Sequence, residues 1–222
     1  SLEEVAGVIR SHCSFPLVEL AKLFRLTIFN FLCGNEDQHL KNFSLIEDKE
    51  KVRLSPCYDL VNSTIVLDTN NESALSIRGK NRNLDQEDFL DYFGAEVLTL
   101  QPLFIENVMR KIAASLVKWP FWIERSFLWP RLKGAYLDLM QSRSHCLGFH
   151  WIKINQDELD TLGKLSLQKG AGGHQSFFKQ LESQRDNLTY CLTEQQFRTV
   201  QDRQTGSGGW QTAYRTLSSN AK

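Results

Sequence analysis

Between Leu17 and Cys33 the chain is apolar almost all the way round a helix. Leu17, Leu20, Ala21, Phe24, Ile28 and Phe31 share one face, and Leu23, Leu26, Phe29 and Leu32 cover much of the remainder. A helix without a polar face belongs inside a protein, so the rest of the chain has to surround it. Arg25, Thr27 and Asn30 interrupt the run, which is too short and too polar to span a bilayer. Gly34 is the expected end, because glycine takes the left-handed conformation that closes helices. The polar residues 35–42 come next. A buried rod leading into an exposed polar loop is an arrangement that holds reactive side chains rigidly.

The surrounding elements follow from periodicity and turn residues. Residues 1–11 read as a helix ahead of the apolar one, itself placed at 17–33. Phe43–Ile46 and Val52–Leu54 are short strands across the charged turn 47–51, a hairpin pattern. Ala74–Ile77 reads as another strand, followed by a basic turn at 78–83. From Asp85 the text is helical, at Asp85–Phe93, Leu103–Ala114 and Leu132–Gln141, punctuated by Pro102, Pro120 and Pro130. Trp119, Phe121, Trp122, Phe127 and Trp129 form a dense aromatic group, expected to pack helix against helix in a core.

The text changes near Phe149. Glutamine becomes frequent, and Gly170–Leu181 matches Gly206–Leu217 at an offset of 36 residues. Each unit reads as strand, N-cap (Asn155 or Thr193), helix, glycine-rich turn, helix. The short strands Trp151–Ile154 and Thr189–Leu192 are expected to pair. The glycine clusters lack the G-x-x-x-x-G-K-[ST] pattern of a phosphate loop and read as tight helix–helix turns. The expected fold is mainly α with short β hairpins: a helical domain over 1–148, then a small α+β two-repeat domain over 149–222.

Formal net charge is zero, which gives no support for direct nucleic-acid or membrane-surface binding. The five cysteines are scattered, with no C-x-x-C pair. That suits reduced thiols in a cytoplasm better than disulfides or a zinc site. The chain starts at Ser1 and enters helical text at once, without a signal peptide, which predicts a piece of a longer polypeptide.

Chemistry concentrates in Gly34-Asn35-Glu36-Asp37-Gln38-His39-Leu40-Lys41-Asn42 and in Ser55-Pro56-Cys57-Tyr58-Asp59-Leu60. Asp37 and Asn42 have four residues between them, and Asp59 comes 17 residues after Asn42, past the hairpin. Phosphoryl transfer uses this set: a carboxylate that takes or aligns the attacking hydroxyl's proton, then an amide oxygen and a second carboxylate that hold Mg²⁺ on ATP. The hairpin puts Asp37 and Asn42 before its first strand and Asp59 after its second, so the motifs can meet at one end. Protonated His39 or Lys41 would keep Asp37 ionised, and Lys41 would counter charge on the transferred group. An isolated D-x-x-x-x-N also suits a capped turn. The buried helix, the hairpin and the Tyr-Asp-Leu favour the catalytic reading.

Together these residues resemble the HipA-like serine/threonine kinases of bacterial toxin–antitoxin systems. That family carries a loop N-x-D-x-H-x-K-N-F, matched by Asn35, Asp37, His39, Lys41, Asn42 and Phe43. A hairpin and P-x-Y-D come after it, matched by Pro56, Tyr58 and Asp59. Leu75-Ser76-Ile77-Arg78-Gly79-Lys80 with Asn83-Leu84 resembles the L-S-I-x-G-K segment and the helix after it, and Phe127–Arg143 resembles the closing helix. The likeness covers roughly residues 1–148 and implies a kinase C-terminal lobe. It implies Asp37 as catalytic base, Asn42 and Asp59 as Mg²⁺ and nucleotide ligands, and His39 and Lys41 supporting the loop. It further implies a protein substrate such as an aminoacyl-tRNA synthetase or translation factor, and regulation by a DNA-binding antitoxin. The family's phosphate-covering loop and ATP-clamping lysine have no counterpart here, so a separate N-lobe is expected to supply them. Two other readings stand beside this one: an inactive lobe serving as a protein-binding module, and a hydrolytic metal centre of Asp37, His39 and Asp59.

Overall fold

The computed structural model describes residues 1–67, 71–153, 189–193 and 198. The chain divides into two compact units, Ser1–Met109 with Phe121–Gly148 and Arg110–Pro120 with Phe149–Lys222.

In the first unit, α1 (Leu2–His12) opens with a capping box in which the Ser1 side chain accepts from the Glu4 N–H and Glu4 reaches back to Ser1. α2 (Pro16–Cys33) starts on a proline, whose missing N–H costs nothing there. Leu20, Leu23, Phe24, Ile28 and Leu32 are all buried, as the pattern of residues predicts. The N-terminal turn differs: Leu17 and Val18 are exposed. Phe24 meets the segment Glu87–Val97, which is π-helical rather than the α-helix expected from Asp85. Gly94 in that segment lets the two approach closely: a Cβ would lie 3.0 Å from the Phe24 ring and 3.1 Å from Ile105, so both would have to shift. Phe31 and Phe89 stack at 4.6 Å between centroids. α5 (Pro130–Cys146) packs along α2.

The hairpin pairs β1 (Leu45–Asp48) antiparallel with β2 (Lys51–Leu54). Its first strand begins two residues later than the sequence suggests, because residues 40–42 form a 3₁₀ turn before it. Lys49 and Glu50 both have positive φ, the sign a two-residue type I′ turn requires. Buried Glu19 of α2 accepts the Leu54 N–H at 3.0 Å and pairs with Lys22 at 2.8 Å, docking the hairpin on the helix.

Two expectations fail. Ala74–Ile77 is no strand: only Ile77 and Lys80 pair, across a turn with positive φ at Arg78 and Gly79. Four of the five rings of the aromatic group are not core either, Trp119 being half-buried. α3 (Pro102–Leu116) is followed by a further helix, α4 (Trp119–Arg125). A seven-residue helix has only a narrow inward stripe, and Ile123 occupies it. Phe121 and Trp122 are left outside, edge-on to each other at 5.2 Å, with Arg125 over the Phe121 ring. Phe127 and Trp129, in the link to α5, are also exposed.

In the second unit, β3 (Phe149–Lys153) pairs antiparallel with β4 (Thr189–Thr193), with Trp151 opposite Cys191. The matching stretches Gly170–Leu181 and Gly206–Leu217 of the repeat lie outside the described residues. None of the five cysteines is in a disulfide. Among the described residues no helix is long and apolar enough to cross a membrane.

Candidate active site

α2 ends on Gly34, whose φ of +77° puts it in the left-handed region. A side chain there would also collide with Leu139 at 2.5 Å and Asn62 at 2.8 Å, so backbone and space both demand glycine. The chain then turns into the loop. The Asn35 N–H donates to the Asn30 carbonyl at 2.9 Å.

Asn35 is the hub of the loop. Its Nδ2 lies 3.1 Å from Gln38 Oε1, 3.1 Å from the Asp59 carbonyl and 3.3 Å from Asn30 Oδ1. Its Oδ1 accepts the Asp37 N–H at 3.2 Å. Gln38 in turn donates to the Asn42 carbonyl at 3.1 Å. The loop expected to be exposed is therefore mostly interior: Asn35 is 2% accessible and Asn42 8%. Buried amides are tolerated only when hydrogen-bonded, and this mutual network provides the partners. Asp37 and His39 remain outside, their side chains 57% and 47% exposed with His39 Nε2 4.0 Å from Asp37 Oδ1. Lys41 is exposed too.

Asn42 connects the two motifs. Its Nδ2 donates to the Asp37 carbonyl at 3.1 Å and to Asp59 Oδ2 at 3.0 Å. A second tie runs through Tyr58, whose hydroxyl donates to the Lys41 carbonyl at 2.9 Å and meets the Ser44 hydroxyl at 2.5 Å. Asp59 has φ +57°, a conformation Asp tolerates better than most residues. The Asn35 bond to its carbonyl and the Asn42 bond to its carboxylate hold it so. The five candidate residues thus fall into a contacting set, Asp37, Asn42 and Asp59, with His39 beside it and Lys41 joined through its backbone.

Sequence reasoning misses the support behind this set. In the sequence Glu36 is only a link in the loop, yet it makes a buried ion pair with Arg143 of α5, at 3.0 Å with side chains 3% and 5% exposed. The Glu36 N–H donates to Ser63 Oγ at 2.8 Å, and Thr64 Oγ1 lies 2.6 Å from Glu36 Oε1. Burial pulls the Arg143 pKa below its ordinary value, and the Glu36 carboxylate opposes that. The only signal in the sequence is a pair of opposite charges more than a hundred residues apart, which no local pattern reveals.

The amide oxygen of Asn42 and the carboxylate of Asp59 are hard-oxygen donors of the kind Mg²⁺ uses when it shares its remaining positions with phosphates and water. Here Asn42 meets Asp59 through Nδ2, so a cation held by both would require the amide to turn its Oδ1 inward. Among the described residues no group of three or more His, Cys, Asp or Glu is placed to hold a metal by itself.

Residues 1–119 match the HipA-like C-terminal domain, more than half of the chain. A protein of Sinorhizobium fredii named "Putative kinase Y4mE" is 33% identical over 81 residues, 36% of this chain and 19% of that protein. One of Haemophilus influenzae named "Putative kinase" is 40% identical over 62 residues, 28% of this chain and 18% of that protein. Among solved structures, a chain of the Shewanella oneidensis MR-1 toxin–antitoxin complex of HipA, HipB and operator DNA superposes with a TM-score of 0.54. Its sequence identity is 20%, over 67% of this chain and 36% of that one, a likeness of fold. The chain spans about a fifth of the length of the curated relatives it matches. With a mostly helical body, short antiparallel strand pairs and the 1–119 match, the chain belongs to the HipA-like C-terminal domain family.

Proposed function

We propose that this chain is the catalytic lobe of a protein serine/threonine kinase. The observation that carries the reading is the bond from Asn42 to Asp59, made beside Asp37 by residues on opposite sides of a hairpin. In the step inferred, the Ser/Thr hydroxyl oxygen of a protein substrate bonds to the γ-phosphorus of ATP as the bond to the ADP oxygen breaks. The hydroxyl proton passes to the Asp37 carboxylate, and ADP leaves. Asp37 is exposed enough to meet an incoming hydroxyl, with the His39 imidazole 4.0 Å from its carboxylate. Asn42 and Asp59 would hold Mg²⁺, which when bound neutralises and orients the phosphates. Lys41 adds positive charge at the mouth of the site.

The nucleotide clamp would come from an N-lobe, in the same polypeptide or a separate subunit. By analogy with the HipA–HipB–operator complex, a DNA-binding antitoxin is the proposed regulator, in a cytoplasmic setting, and a translation factor or aminoacyl-tRNA synthetase the proposed target. Residues 149–222 are proposed to form a separate two-repeat domain. A second reading, a lobe that serves as a binding module without catalysis, draws on the exposed Phe121, Trp122, Phe127 and Trp129.

The test is phosphoryl transfer from ATP by the chain joined to a HipA-like N-lobe. Asp37→Asn and Asp59→Asn each keep shape, and Asn tolerates the positive φ at 59. Each should lower the rate by on the order of 10³-fold or more. Undiminished transfer by either variant overturns the role assigned to that residue.

A further inference from the structure

We propose that Arg143 is a positioning residue: through Glu36 and Thr64 it holds the Asp37–Asn42 loop and the Asp59 segment in one register, and so sets the cation affinity of the Asn42–Asp59 pair. The inference rests on the kinase reading above and extends it to a residue on a distant helix.

The guanidinium touches four stretches of chain at once. Arg143 Nη1 donates to the Phe31 carbonyl at 2.8 Å, in the last turn of α2, and lies 3.5 Å from the Glu72 carbonyl. Nη2 donates to Glu36 Oε1 at 3.0 Å and to Thr64 Oγ1 at 3.3 Å. The cation also lies over the Phe31 ring, 5.0 Å from its centroid. Glu36 immediately precedes Asp37, and Thr64 stands five residues after Asp59. The two halves of the candidate site are therefore tied to one side chain as well as to each other. The Gly34 carbonyl reinforces the tie by accepting the N–H groups of Ser63 and Thr64 at 3.0 and 3.1 Å.

A buried ion pair is a poor device for stability alone, because desolvation offsets most of the attraction and well-packed apolar residues do as well. A planar fork that serves several acceptors in fixed directions is a good device for register. The last carbonyls of α2 lack partners within the helix, and a cation there is favoured by the helix dipole. The same group thus caps the helix that delivers the loop and clamps the loop it delivers. Partners that orient metal-holding side chains commonly govern metal affinity by about tenfold or more.

The test compares Arg143→Lys and Thr64→Val with the parent protein. Lysine keeps the charge but cannot serve Glu36, Thr64 and Phe31 together, and valine removes one hydroxyl at nearly constant shape. The first readout is native-state hydrogen exchange, which needs no activity. In Arg143→Lys the amides of residues 35–42 and 63–64 should lose protection together, by about tenfold, while those of β1 and β2 keep theirs. The second is the Mg²⁺ concentration for half-maximal transfer by the N-lobe-joined protein. It should rise by about tenfold in Arg143→Lys and less in Thr64→Val, with KM for the protein substrate unchanged. A purely structural role would lower the folded fraction and leave that midpoint in place.

Unchanged protection in both segments, or an unmoved Mg²⁺ midpoint in a variant that still transfers, overturns the proposal. If Asp37→Asn abolishes transfer while the Arg143→Lys midpoint stays, the strut falls and the kinase reading stands. If Asp37→Asn transfers normally, the kinase reading falls, and the exchange data still decide whether Arg143 couples the two segments.

Discussion

Two stretches of this chain trade the places their compositions suggest. Residues 34–42 are rich in Asn, Glu, Gln, Asp and Lys, yet Asn35, Glu36, Gln38 and Asn42 are buried. Residues 119–129 carry five aromatics, yet Phe121, Trp122, Phe127 and Trp129 face solvent. Burial of a polar side chain depends on whether partners can be brought to it. The loop has them, from its own amides, from Ser63 and from Arg143. The aromatic stretch lies on a short helix and a link to the next, where Ile123 already fills the inward position.

The sharpest way to break this comparison is to unbalance the buried loop. Glu36→Ala leaves Arg143 charged and without its carboxylate in the interior, which should cost about 3–5 kcal/mol of stability. Urea unfolding of the chain would read it as a lower midpoint at unchanged slope. A loss below about 1 kcal/mol would mean that the ion pair is dispensable and the loop is held by its amides alone.

A smaller effect comes with alkaline pH. Burial pushes the Cys33 thiol, next to Gly34, up to about 11 from an ordinary 9.0, and the Tyr136 hydroxyl of α5 up to about 12. The unfolded chain therefore loses the Cys33 proton first. Its contribution is complete below about pH 9 and is lost as pH climbs through about 11, an effect of about 2–3 kcal/mol for this thiol. Stability measured from about pH 8 to 11 should fall along that course, and Cys33→Ala should remove this thiol's share of the slope while Cys13, Cys146 and Cys191, also raised by burial, keep theirs. A profile level up to about pH 11 would show that water reaches the end of α2.

The smallest effects belong to the other side of the comparison. Trp122→Ser, Phe127→Ser and Trp129→Ser should each shift stability by no more than about 0.5 kcal/mol, as exposed positions do. A loss of about 2 kcal/mol or more at any of them would place that ring in a packed interior and remove the contrast.

What can be read from residues alone divides along the same line. α2 is legible because its apolar positions leave no polar face, and Gly34 because a helix closing on glycine is a local rule. The hairpin and the spacing of Asp37, Asn42 and Asp59 are legible because turn chemistry and motif distances are short-range. Burial of the loop is not, since Glu36 meets Arg143 across 107 positions and Ser63 across 27. The Ala74–Ile77 strand fails because, among the described residues, its β-like text makes no bridge but the Ile77–Lys80 one, while the Ala74 and Ser76 carbonyls are taken by the Asn81 side chain and the Leu2 N–H. α4 escapes a sequence reading because Pro120 looks like a stop, whereas it falls in the first turn, where proline is admissible.

The hairpin carries one further consequence. Its ladder runs from the Lys49–Glu50 turn to Ser44 and Ser55, and the two acid-bearing motifs join just past that open end. Ribbon length is thus decoupled from the geometry of the Asp37, Asn42 and Asp59 contacts. Residues grafted in cross-strand pairs at the distal tip would lengthen the arm while its base stays anchored to α2, which makes the tip a natural place to attach a reporter or a recognition peptide without disturbing the contacts at the root.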